Sequence, residues 1–124
     1  MYLLDTNTVI DFCNSKLPLK AKTLLANIDP AISVITRIEL FASSKISPQE
    51  KLTLEAFVSI AIVYDNLNIG IVTKAIAIRQ LCKTKLPDAI IAATALAYDF
   101  ILITRNTSDF KNIQGLHLID PYNL

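Results

Sequence analysis

Four acids and one amide occupy positions where their chemistry could be pooled. They are Asp5 in Leu3-Leu4-Asp5-Thr6-Asn7, Glu39 in Arg37-Ile38-Glu39-Leu40, Asp88 in Leu86-Pro87-Asp88-Ala89, and Asn106 and Asp109 in Thr104-Arg105-Asn106-Thr107-Ser108-Asp109-Phe110. Asp5, Glu39 and Asp88 have no evident local salt-bridge partner. Carboxylates gathered in one place repel one another unless a cation neutralises them. Oxygen ligands without His or Cys suit a hard ion, Mg²⁺ or Mn²⁺. An ion held in this way activates water for in-line attack on a phosphodiester. The single histidine, His117, falls in a predicted strand and reads as packing or surface. With only Gly70 and Gly115 in the chain, no glycine-rich phosphate loop can form. No serine or cysteine nucleophile signature is present.

Taken singly, most of these residues have a plainer reading. Asp5 suits a helix N-cap, Asp88 a first-turn acid favoured by the helix dipole, and Asp109 a turn. Glu39 is harder to explain away. Its helical neighbours are Ile35, Thr36, Ala42 and Ser43, none a cation. A half-buried glutamate beside an apolar stripe needs a partner from elsewhere. Independent caps have no reason to collect around one cleft with such a residue.

The elements that must position these groups follow from pattern and punctuation. Tyr2-Leu3-Leu4 reads as a short buried strand, with Asp5-Thr6-Asn7 capping a helix to about Asn14. Pro18 opens a helix to about Ile28, and Asp29-Pro30 breaks it. Ala31-Ile32-Ser33 reads as a strand. Val34, Ile35, Ile38, Phe41 and Ala42 then recur at helical spacing, predicting a helix to about Ser44. Ser47-Pro48-Gln49-Glu50 is a capping box with proline at the first helical position. Its helix presents Leu54, Phe57, Val58 and Ala61, and Ile62-Val63-Tyr64 follows as a strand. From Asn66 or Asn68 a helix carries Ile71, Ala75, Ile78 and Cys82 as one stripe, widened by Val72 and Ile76. Pro87 starts an alanine-rich helix to Tyr98, apolar nearly all round and therefore buried. Strands at Phe100–Ile103 and Leu116–Ile119 complete the series.

Strands alternating with helices predict an α/β fold. The expectation is one domain, residues 1–124, with a central, mostly parallel five-stranded sheet and helices on both faces. Ligands of such sheets bind outside the carboxyl ends of the strands. All four segments reach that edge.

Bulk properties agree. The hydrophobic fraction is 52% and the charged fraction 19%, which excludes disorder and leaves apolar surface for a partner. No apolar run reaches the roughly 20 residues of a membrane helix. The amino-terminal segment lacks signal-peptide features, so a cytoplasmic location without membrane contact is expected. Cys13 and Cys82 read as buried free thiols. Net charge is +1, neither announcing nor excluding a nucleic-acid partner. Arg37, Lys85 and Arg105 flank the acids and alone read as solvated charges near element ends; only an RNA substrate, such as the resemblance that follows implies, makes them candidates for weak RNA-phosphate contacts.

The same residues resemble the PIN-domain ribonucleases, specifically the VapC-type toxins of bacterial toxin–antitoxin pairs, along the whole chain. Leu3-Leu4-Asp5-Thr6-Asn7 looks like the first acidic motif, Thr36-Arg37-Ile38-Glu39-Leu40 the second, and Pro87-Asp88-Ala89-Ile90-Ile91-Ala92-Ala93-Thr94-Ala95 the third. Thr104 to Phe110 looks like the last motif, and Asp120-Pro121 like the usual ending. The resemblance implies Mg²⁺ or Mn²⁺ on Asp5, Asp88 and Glu39, supporting roles for Thr6, Asn7 and Thr104, and cleavage of RNA (tRNA, rRNA or mRNA). It also implies a homodimer silenced by a VapB-like antitoxin. One departure stands out. Many relatives carry an acid where this chain has Asn106, and the nearby carboxylate is Asp109. Two assignments stay open: Asp109 serves the metal, or Asn106 acts as a neutral ligand or water holder. Two other classes compete. A metal-dependent phosphatase would want a second acid two residues after Asp5, where Asn7 stands. A catalytically weakened RNA- or protein-binding module would have lost acids, and only Asn106 points that way.

Overall fold

The computed structural model describes residues 1–124. In chain order the elements are β1 (Tyr2–Leu4), α1 (Thr6–Cys13), α2 (Leu19–Ala26), β2 (Ala31–Ser33), α3 (Val34–Phe41), α4 (Pro48–Ile60), β3 (Ile62–Tyr64), α5 (Ile69–Leu81), α6 (Leu86–Ala97), β4 (Ile101–Ile103) and β5 (Leu118–Ile119). Local chemistry sets most of the starts. Asp5, Ser33, Ser47 and Asn68 each accept a hydrogen bond from a first-turn backbone N–H, and Ser47 with Glu50 completes the reciprocal box.

All five strands are parallel, in the order β3-β2-β1-β4-β5. Leu3 lies between Ala31 and Leu102, and Leu4 pairs with Ile103. The two-residue period of a strand sends alternate side chains to opposite faces. Leu3, Ala31 and Leu102 accordingly join Ile71, Ala75 and Ile78 of α5 and the alanines of α6. Leu4, Ile32 and Ile103 join Val9, Leu25, Leu40, Leu54 and Phe57 of α1 to α4. The sheet is thus covered on both faces, as such parallel sheets are. No helix is long and apolar enough to cross a membrane.

Several sequence expectations are corrected. Ile38 is exposed, because Thr36 and Leu40 are the residues that α3 buries. Glu39 follows Ile38 outward and is exposed rather than half-buried. On α5, Val72 and Ile76 do not widen the buried stripe but face outward, since that helix packs on α6 through Ile71, Ala75 and Ile78. Cys13 and Cys82 are free and half-buried.

Candidate metal centre

β1 lies between β2 and β4, the point from which crossovers leave in opposite directions. A parallel sheet opens its crevice there, beyond the carboxyl ends of the strands. Asp5 follows β1 directly and Thr104 follows β4 directly. Their backbones continue the ladder for one more step, since the Asp5 N–H donates to the Ile103 carbonyl at 3.0 Å.

Asp5 is buried and held from several sides. Its Oδ1 accepts from the Thr6 N–H at 2.8 Å. Its Oδ2 accepts from the Thr104 hydroxyl at 2.8 Å and from the Asn7 amide at 3.2 Å. A carboxylate offers about four lone-pair sites, so three donors leave room for one more partner. Burial raises the Asp5 pKa, the bonds from Thr104 and Thr6 oppose the rise, and the charge of Glu39 adds to it.

Glu39 reaches the same crevice from α3. Its Oε1 accepts from the Thr6 hydroxyl at 2.6 Å, and that hydroxyl lies 3.2 Å from the hydroxyl of Thr36. Thr6 therefore couples the first and second acidic segments, the partner that sequence could not supply.

Asp88 lies in the first turn of α6, beside proline. Its carboxyl is pushed up to about 6, first by burial, then by the charges of Asp5, Asp109 and Glu39, with Lys85 pulling the other way. The charges of three acids from three other chain segments thus bear on Asp88, and neither of the protein's two ion pairs involves any of the four. The donor set is all oxygen. Mutual repulsion of this kind is relieved by a divalent cation, and the residues fit a hard ion in charge and type. As the side chains lie, no three of the carboxylates are close enough to enclose an ion.

The last motif separates its two candidates. Thr107–Asp109 forms a 3-10 turn after Asn106. The Asp109 carboxylate caps no backbone group, and it shares with Asp88 a cavity of about 200 Å³, also lined by Lys83, Lys85, Ser108 and Asn112. Asn106 is exposed and lies outside that lining. Its N–H donates to the Thr104 hydroxyl at 3.0 Å.

The flanking cations differ in their freedom. Arg37 pairs with Asp65 at 2.8 Å, both about half exposed. Arg105 pairs at 2.8 Å with Asp11, whose side chain is only 5% exposed. The Lys85 side chain makes neither a salt bridge nor a hydrogen bond, while its carbonyl accepts from the Ala89 N–H at 2.8 Å. Asp11 and Tyr122 were missed from sequence. The available signal was an acid between Ile10 and Phe12 in an otherwise apolar run. Its partners lie 94 and 111 residues away, beyond any local pattern.

Comparison with known proteins agrees with this architecture. No curated protein matches the chain. Among solved structures, a toxin–antitoxin complex from Klebsiella pneumoniae is similar at 38% identity and TM-score 0.79, covering 100% of both chains. VapBC2 from Rickettsia felis, bound to a promoter DNA fragment, is similar at 27% identity and TM-score 0.79, covering 95% of this chain and 96% of that one. DNA-bound VapBC from Salmonella typhimurium is similar at 26% identity and TM-score 0.80, covering 96% of each. The PIN domain model matches residues 2–116, and the chain belongs to the PIN-domain family.

Proposed function

We propose that this protein is a Mg²⁺- or Mn²⁺-dependent endoribonuclease acting as the toxin of a toxin–antitoxin pair. The observation that carries the reading is the meeting of Asp5 and Glu39 through Thr6 at the switch point of a parallel sheet, with Asp88 and Asp109 lining one cavity. Asp5 and Asp88 would hold the ion, Glu39 directly or through water, and Asp109 is the better supported fourth acid. A bound ion would supply a water of lowered pKa and neutralise charge at the scissile phosphate. Thr104 and Asn7 fix the Asp5 carboxylate, and Thr6 fixes that of Glu39. Lys85, beside Asp88, would hold an RNA phosphate. Arg37 could join it, because an exposed ion pair such as Arg37–Asp65 is worth at most about 1 kcal/mol and exchanges readily.

The partner assignments rest on likeness and surface. The Klebsiella relative is a toxin–antitoxin complex. A cleft of about 440 Å³ runs from Glu39 past Ile10, Leu40, Ile46 and Leu54. It offers a seat for an antitoxin segment that places a cation among the acids. Exposed Val72 and Ile76 of α5, Leu86 of α6, and Leu67 just before α5 form an apolar face suited to a homodimer. Cytoplasmic RNA would be the substrate. Expression of the protein alone is expected to arrest growth, relieved by co-expression of the adjacent small gene product. Purified protein is expected to cut RNA with Mn²⁺ and not with a chelator. Harmless expression together with metal-independent or absent cleavage would overturn the reading.

A further inference from the structure

Asp11 is a buried carboxylate for which the chemistry above has no task. Its Oδ2 accepts from Arg105 Nη1 at 2.8 Å and from the Tyr122 hydroxyl at 2.7 Å. Removing one partner of a buried charge pair leaves the other uncompensated, so such a group is held firmly where its partners meet it. One of those partners, Arg105, borders the site. Arg105 stands between Thr104, whose hydroxyl holds Asp5, and Asn106, which leads into the turn carrying Asp109. Its backbone N–H donates to Asn7 Oδ1 at 3.3 Å. Helix α1 therefore grips Arg105 at two points, through Asn7 and Asp11. These are four positions apart and lie on one side of the helix.

The segment that is gripped has little else to hold it. The Thr104 N–H donates to Ile119 in the sheet. The next two N–H groups have only side-chain acceptors, Asn7 and Thr104. Regular pairing resumes with the 3-10 turn, and the buried Phe110 anchors its far end. Tyr122 is itself presented by a turn, its N–H donating to Asp120 Oδ1 at 2.9 Å.

We propose that Asp11, Arg105 and Tyr122 form a clamp that positions the metal centre. It holds Thr104 against Asp5 and sets the Asn106–Asp109 segment beside Asp88. All three are positioning residues that touch neither substrate nor ion, and Arg105 is removed from the set of RNA contacts. The kinetic consequence rests on the nuclease reading; the structural one does not.

The test uses Tyr122→Phe, Asp11→Asn and Arg105→Gln. Amide hydrogen exchange is read by NMR on the metal-free proteins. In the first two variants the Arg105 and Asn106 amides are expected to exchange on the order of ten times faster, with Leu102 and Ile103 unchanged. Tyr122→Phe removes one exposed-side hydroxyl, so it keeps the readout available if Asp11→Asn does not fold. In RNA cleavage, Arg105→Gln is expected to lower kcat about ten-fold or more, leaving KM and the salt dependence of RNA binding as in wild type. Unchanged exchange at Arg105 and Asn106 would overturn the clamp. So would an Arg105→Gln protein with normal kcat, raised KM and a salt slope flattened by close to one, the mark of a phosphate contact. If wild-type protein cuts no RNA, the nuclease reading fails and the exchange data alone decide the clamp.

Discussion

Replacing Asp88 with asparagine is predicted to stabilise the metal-free protein at neutral pH. The Asp88 carboxyl moves from 3.8 to about 6 on folding. Each pH unit is worth about 1.4 kcal/mol, so the ionised form is disfavoured by about 3 kcal/mol. Asp88 is partly open to solvent, and screening reduces this to about 1–2 kcal/mol. The sign follows from proton linkage. Between pH 3.8 and about 6 the folded state holds more protons than the unfolded chain. Stability therefore falls as pH rises through that window and stays reduced above it. Below pH 3.8 both states are protonated, and wild type and Asp88→Asn differ little in this respect. For a chain of 124 residues, 1 kcal/mol moves the melting temperature by about 4 °C, so the variant gains about 4–8 °C at pH 8. Calorimetry in chelator from pH 4 to pH 8 measures the gap. Added Mg²⁺ or Mn²⁺ is expected to raise wild type and barely move the variant. A variant that melts below wild type at pH 8, or a gap independent of pH, would refute the repulsion argument.

Further outcomes follow from the same geometry. Thr104→Val, which removes a hydroxyl donor to Asp5, is expected to weaken Mn²⁺ binding in a calorimetric titration, because Asp5 loses its orientation. In that titration Asp109→Asn is expected to cost more affinity than any change brought by Asn106→Asp; the reverse order would restore Asn106 to the fourth position. Lys85→Ala is expected to flatten the salt dependence of RNA binding by close to one log–log unit. An unchanged slope would make it a solvated surface charge.

Much of the fold was legible because local chemistry and strand period agree. Asp5, Ser47 and Asn68 cap helices in the structure, and the three residues of Ala31–Ser33 and of Ile62–Tyr64 form strands as expected. Asp5 and Asp88 could be expected near the crevice because each stands at the start of a helix, whereas Glu39 lies within α3 and was expected there from the helix that leaves β2. Ile38 misled because periodicity alone does not say which side of a short helix faces the sheet. There the Ser33 cap and buried Thr36 set the rotation. The links between segments were not legible. Thr6 to Glu39, Thr104 to Asp5, and Asp11 to Arg105 and Tyr122 join residues 33 to 111 positions apart, and only the folded sheet edge brings them together.

The most direct test of the central claim is RNA cleavage at graded Mn²⁺ concentration by wild type, Asp5→Asn and Asp88→Asn, purified free of host ribonuclease. The acid-bound metal account predicts saturable, chelator-sensitive cleavage by wild type and none above background by either variant, with both variants folded. Cleavage at the wild-type rate by both variants, or wild-type cleavage that persists in chelator, would contradict it.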